Sequence, residues 1–347
     1  MLMVKKRFGL LIMVMLLLAA PTSLWAQSDC DVTLSPGSDL ALAVSEASPQ
    51  QVICLETGQY ETHISISESL TLRGAEDGET ILVGNTAGQS IVHMLRTGDP
   101  LDVTLEHLVI RGAFPVSGEE DCFSRGNCPD GIQIMGDFNV RLLDVQILDN
   151  HDDGIQIFGG TLVMEDVVSQ GNGDSGLITQ GFGEFGAADI AIHRSQILQN
   201  RGDGLLLLGP NQVLIEDSQI NENQENGLNL IGGPGPVVTV RRSDVVNNGF
   251  DGIQFIDTGD EAVFESLRIQ GNGKRSECEE DNVVCNGITL LGSGRVLVRD
   301  SHLTSNAAWG IMGVLKQCGA EEDTFEIELT LEGNTFGDNG LGESCLP

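Results

Sequence analysis

Asn150-His151-Asp152-Asp153-Gly154-Ile155 is the phrase on which the reading of the fold turns. An Asn, three variable residues of which the last is usually Asp or Asn, then Gly and Ile or Leu, return at 172–177, 200–205, 223–228, 248–253 and 306–311. The second half of the phrase also stands alone at Asp130-Gly131-Ile132 and Asn286-Gly287-Ile288. Recurrence at 22 to 28 residues marks a stacked architecture in which each repeat is one supersecondary unit.

Anchoring each repeat on its Asn aligns the apolar residues. Ten and eight positions earlier stand pairs such as Val140 and Leu142, Ile190 and Ile192, and Val238 and Val240. Three positions earlier stand Ile147, Ile197, Ile220 and Val245, and flanking the residue two after the Gly stand pairs such as Ile155 and Ile157. Strict alternation over three short segments is the period of half-buried strands. With no room for a crossover helix, such strands can coil, each pairing in parallel with its equivalent one turn later at about 4.8 Å. The expectation is an all-β, single-stranded right-handed parallel β-helix of about eleven coils. The recurrent Asn is expected to adopt the left-handed conformation at a tight turn and to bond its amide to the Asn above and below.

These residues resemble the pectin-lyase-like right-handed parallel β-helix family with its asparagine ladder. Ser69-Leu70-Thr71-Leu72-Arg73-Gly74 is similar to the opening coil of its exported bacterial members. The resemblance runs from Cys30 to Gly342 and implies the fold, while the family carries lyases, hydrolases, epimerases and proteins without known chemistry.

The two ends bound the setting. Lys5, Lys6 and Arg7, the apolar run Phe8 to Ala20, Pro21 and Leu24-Trp25-Ala26 read as a signal peptide over residues 1–26, too short for a membrane span. Its removal takes the formal charge from −33 to −36, since those residues hold three basic side chains and no acidic one. Such a surface repels nucleic acid and anionic membrane and attracts cations. Residues 27–74 read as an N-terminal cap with first strands, 75–342 as the repeats and 343–347 as a tail. In the cap, Ser38 is expected to start a helix running to about Glu46, whose face of Leu40, Ala43, Val44 and Ala47 would cover the open end of the stack. The eight cysteines of an exported chain read as disulfides. Of the many connectivities, proximity suggests Cys30–Cys54, Cys122–Cys128, Cys278–Cys285 and Cys318–Cys345. The expected location is secreted, periplasmic or cell-surface.

Insertions at 113–129 and 273–285 leave the same corner, about six coils apart, and a third at 179–188 leaves the other end of the Gly strand. They would frame one face, and loops on such scaffolds often carry binding. There the residue before Gly is Asp130, Asp153, Asp203 or Asp251 in four repeats, a carboxylate column that could hold Ca²⁺. His151, Asp152, Asp153 and Asp174 form the densest polar group and are the candidate catalytic residues, since glycoside hydrolysis needs paired carboxylates. Turn chemistry is the competing reading, because Asp before Gly commonly bonds nearby backbone. Asp152-Asp153 matches the acidic pair of polygalacturonase-like members, but their G-H-G and R-I-K motifs are missing, as is the D-P-H-D run of alginate-epimerase-like members. Glu165, Glu216 and Glu265 alternate with Arg194, Arg241, Arg242 and Arg299 as an expected exposed charge ladder. The six histidines share no column, which argues against a transition-metal site. The expected function is binding or processing of polysaccharide or cell-surface glycan on this face, with Ca²⁺ as candidate cofactor. A polysaccharide lyase or glycoside hydrolase and a non-catalytic surface, adhesive or structural module both stay open.

Overall fold

The computed structural model describes residues 29–76, 79–117, 128–181, 185–232, 237–256, 261–279, 285–313, 318 and 326–346. The expected signal peptide and Cys122 lie outside them. The chain is a right-handed parallel β-helix whose strands pair in parallel with their equivalents one coil on. A first sheet begins at Val32–Leu34 and ends at Glu326–Glu332, a second runs from Gly58–Thr62 to Thr335–Gly337, and a third from Ile64–Ile66 to Gly342–Cys345. The third-sheet segments start at Ile64, Val92, Ile132, Ile155, Leu177, Leu205, Leu228, Ile253, Ile288, Trp309 and Gly342, which gives the eleven coils. Stacking thus starts at Val32, within the segment read as a cap.

The alternation in sequence becomes alternation in burial. Ile132, Ile134, Phe138, Val140, Leu142, Val145 and Ile147 all point into one continuous core that runs the length of the coil. Ile155, Leu177, Leu205, Leu228 and Ile253 follow one another in register, as the Asn-anchored alignment requires. Burying each such side chain stabilises the coil by about 1.5–3 kcal/mol.

Beside that column, Asn172, Asn200, Asn223, Asn248, Asn272, Asn306 and Asn339 form the ladder. Each Oδ1 accepts both the backbone N–H and the amide N–H of the Asn one coil earlier, at 3.0–3.2 Å. The left-handed residue, however, is not the ladder Asn but the one before it, as at Asp149, Gln199, Glu222 and Asn247. The amide must point inward to reach its neighbours, and the preceding residue makes the turn that allows this. Gly in the phrase has another cause, close approach. A Cβ on Gly154 would lie 2.7 Å from Asn172 Nδ2 and 2.7 Å from the Gly176 carbonyl oxygen.

At the N-terminal end the helix spans Leu40–Ser45 and is capped by Asp39, not Ser38, because the Asp39 carboxylate reaches the Leu42 N–H at 2.9 Å. Leu40, Val44 and Ala47 close the core there. Cys30–Cys54, Cys278–Cys285 and Cys318–Cys345 are bonded as expected, and such bridges are those of a protein folding in an oxidising compartment. Among the described residues no helix is long and apolar enough to cross a membrane.

Candidate acidic groove on the third sheet

The side chains that alternate outward from the third sheet make the floor of a groove of about 440 Å³, lined by Gln133, Gln156, Phe158, Ile178, Gln180, Leu206 and Leu208. Asp152, Asp153 and Asp174 bring carboxylates to it, and Cys128, from the loop that follows the second sheet, closes one side. Gln133 donates to Gln156 at 2.7 Å, so the floor presents amides in a fixed orientation.

Asp152 and Asp174 sit on consecutive coils, joined through the Asp174 N–H to the Asp152 carbonyl at 2.9 Å. Both are half-buried. Gly202, one coil further, leaves the space that the Asp174 carboxylate fills, since a Cβ there would collide with Asp174 Oδ1. Burial, followed by the charge of Asp174, pushes the Asp152 carboxyl up to about 6, and burial raises Asp174.

The residue before Gly lies inside the corner rather than on the open floor. Asp130 is 0% and Asp153 2% exposed. Asp130 Oδ1 accepts the Asp153 N–H at 3.2 Å, and Asp153 Oδ1 accepts the Ser175 N–H at 2.9 Å. Ser90, which the sequence reading missed, starts the series by accepting the Asp130 N–H at 3.0 Å. Asp203, Asn226, Asp251 and Asn286 continue it, each accepting the N–H of the next coil at 2.6–3.0 Å. Burial raises Asp130 and Asp153 well above the usual carboxylate range, with neighbouring Asp charges adding to it. Burial likewise takes Asp203 to about 6 and Asp251 to about 7, against the hydrogen bonds they accept.

Asp130, Asp152 and Asp153 can each offer an oxygen within 4.8 Å of the others. Asp203 and Asp251 of the expected metal column lie coils away and do not join them. His151 stands at the same corner but does not line the groove. The histidines do occupy different register positions, yet the His63 and His93 rings stack at 6.5 Å, and His93 shares a row with Gln133. The expected charge ladder is present on the far corner, where Arg194 pairs with Glu165 at 3.1 Å, Arg242 with Glu216 at 3.4 Å and Arg299 with Glu265 at 2.9 Å, joined by Asp166 and Asp217, which the sequence reading did not name; Glu216 is buried there rather than exposed. A second depression, about 310 Å³, lies on the first sheet around Ile190, Leu214 and Val237. It holds one carboxylate, Asp189, beside Thr161, Gln212 and Thr239, whereas the acidic groove gathers three carboxylates and three glutamines and is the stronger site. The sequence reading also missed Phe158, Gln180 and Leu208. Their signal was the outward position one step beyond each aligned Gly-strand pair.

Residues 117–272 match the family model described as right handed beta helix region. No curated protein matches the sequence. Among solved structures, the A-module of mannuronan C-5 epimerase AlgE4 from Azotobacter vinelandii is similar, with 14% identity, 91% of this chain and 98% of that chain covered, and a TM-score of 0.58. A periplasmic alginate epimerase, AlgG, is similar at 12% identity over 91% and 81% of the two chains, with a TM-score of 0.53. PfbA, a surface adhesin of Streptococcus pneumoniae, is similar at 10% identity over 87% of each chain, with a TM-score of 0.52. The shared feature is the parallel β-helix, so the resemblance in fold read from the asparagine phrase stands.

Proposed function

We propose that this chain, exported to the periplasm, cell surface or medium, engages a polysaccharide or cell-surface glycan in the third-sheet groove. The observation that carries the reading is a concave, half-apolar floor of glutamines and aliphatic side chains ending at Asp152 and Asp174, two half-buried carboxyls whose pKa burial raises. Sugars are bound through such mixtures, with amides and carboxylates taking hydroxyls and apolar side chains taking the ring faces. The neighbours in fold support it, being named as epimerases acting on mannuronan and alginate and as a surface adhesin.

In a processing reaction Asp152 is the group to hold a proton for a leaving glycosidic oxygen, because a carboxyl at about 6 is partly protonated near neutrality. Asp174 is the second carboxyl on the next coil, which completes the acidic pair. Oxygen donors of Asp130, Asp152 and Asp153 suit a hard cation, and Ca²⁺ is the candidate. It would supply positive charge beside a bound sugar acid. A non-catalytic surface module is the second reading, favoured because Asp130, Asp153, Asp203 and Asp251 already serve the backbone.

A panel of polysaccharides, scored for both binding and cleavage, tests the reading. Asp152→Asn with Asp174→Asn should abolish whichever signal the wild type gives while the fold is kept, with stability at neutral pH unchanged or raised, because burial holds both carboxyls above their ordinary pKa. Binding without cleavage selects the surface module. No binding to any glycan rejects the proposal.

A further inference from the structure

The first sheet presents an outward face that the glycan reading does not use. Along its middle run Val163, Ala191, Leu214, Thr239, Val263 and Leu297, one per coil, in register and half-buried. The outward row of a solvated sheet is ordinarily polar, so an aliphatic lane of this length is a surface that calls for a partner. At one strand end of the lane, in the same six coils, stand Glu165, His193, Glu216, Arg241, Glu265 and Arg299. Charge is close to balance there, because Arg194, Arg241, Arg242 and Arg299 are held by Glu165, Glu216, Asp217 and Glu265. In a chain of formal charge −33, a locally neutral face is where a second copy meets least repulsion.

The charged row is also complementary to itself. Turned end for end about an axis along the strands, between the coils of Leu214 and Thr239, it opposes Glu165 with Arg299 and His193 with Glu265, and brings the Glu216 and Arg241 pair onto its own equivalent. The lane meets itself at the same time, Val163 on Leu297, Ala191 on Val263 and Leu214 on Thr239. Val237, 50% exposed, then points into the depression of about 310 Å³, opposite Gln212 and Leu214 that line it. Turning one copy about the coil axis instead would set Glu265 on Glu261 and Arg299 on Arg295, like charges in both places.

We propose that this face is the two-fold interface of a homodimer, two copies packed first sheet to first sheet with their stacks running in opposite directions. Such an interface uses the same patch on both copies and closes on itself. Six strands about 4.8 Å apart, each five residues of about 3.3 Å, give about 500 Å² of face per copy, which places the pair at the small end of specific interfaces. The dimer is therefore weak and concentration-dependent. One like pair remains, Asp189 against Glu261, and Glu261 is already held by Arg295 at 3.3 Å within its own chain. The third-sheet groove lies on another side of the coil and stays open in both copies.

Sedimentation velocity of the full chain from about 1 µM to about 500 µM tests the proposal. A monomer should pass to a dimer and to nothing larger. Val237→Arg places an unpaired charge against the depression and should weaken the dimer at least about tenfold, with the melting point kept. Glu165→Arg and Arg299→Glu should each weaken it as well, and the two together should recover most of the loss. These positions are five coils, about 24 Å, apart in one chain, so recovery can arise only across the interface. A chain that stays monomeric throughout, a dimer indifferent to Val237→Arg, or a folded double variant no better than the single ones overturns the proposal. Should a charge reversal fail to fold, Val237→Arg alone decides.

Discussion

Two hydrogen-bonded columns run side by side at one corner of the coil, and they do the same structural work with different chemistry. In the amide ladder, Asn200 and its equivalents accept from the coil before and donate onward, and every member is neutral. In the second column the direction is reversed, each side chain accepting the N–H of the coil after it. Asn226 and Asn286 show that an amide suffices there, since Asn226 Oδ1 takes the Asp251 N–H at 3.0 Å and Asn286 Oδ1 the Trp309 N–H at 3.0 Å. Yet Asp130, Asp153, Asp203 and Asp251 place carboxylates in that role and are all buried. Burying a carboxylate is unfavourable unless it is protonated or paired. A column of neutral amides is thus built for stability, whereas a column of acids beside the groove keeps stability coupled to pH.

The largest effect should come from the amide ladder. Asn200→Ala leaves the Asn172 backbone N–H, 3.1 Å from Asn200 Oδ1, without an acceptor in the core, and takes from the Asn172 side-chain amide its 3.0 Å bond to the same oxygen, leaving that amide Ser169 Oγ at 3.1 Å. The expected loss is about 3 kcal/mol by urea denaturation, largely independent of pH. A loss under about 0.5 kcal/mol would mean the ladder is not stabilising.

The acid column should respond in the opposite sense. Its folded pKa values lie above the unfolded value near 3.8, at about 6 for Asp203 and about 7 for Asp251. The folded state therefore holds these protons more tightly, and the stabilisation is complete below about pH 4 and lost as pH rises through 6 to 7. Asp251→Asn should raise stability at pH 8 by about 2 kcal/mol and leave pH 4 nearly unchanged. Thermal melts across that range would show a flatter profile in the variant; a profile as steep as wild type would count against the assignment.

A smaller change should sharpen the same contrast. Ser175 interrupts the acid column, and its hydroxyl is buried without a hydrogen-bond partner. Ser175→Asn would carry the series from Asp153 on to the coil of Asp203 and should gain about 1 kcal/mol in denaturant titration. Destabilisation would show that the Ser is required for space rather than for bonding.

The fold was legible because period and hydrophobic alternation repeat over the whole chain, and Asn172, Leu177 and their equivalents stack where the alignment puts them. The left-handed turn residue was misplaced because Asn tolerates that conformation, but here its amide is needed in the core. Among the site residues, Asp152 and Asp174 were recognisable as a polar cluster. Whether Asp153 faces solvent was not, since a corner breaks the alternation that elsewhere tells inside from outside. The groove itself depends on Phe158, Gln180 and Leu208, outward residues that any exposed strand carries, and only the curvature around them makes a site.

The most direct test of the account compares two double variants in one glycan-binding titration at pH 7, with melts alongside. Asp152→Asn/Asp174→Asn should lose binding by at least about tenfold with its melting point unchanged or raised, while Asp203→Asn/Asp251→Asn should keep binding within about twofold and melt higher, the acid-column positions gaining from neutral amides. Equal loss of binding in both, or in neither, would contradict the division between a groove that meets the ligand and a column that serves the backbone.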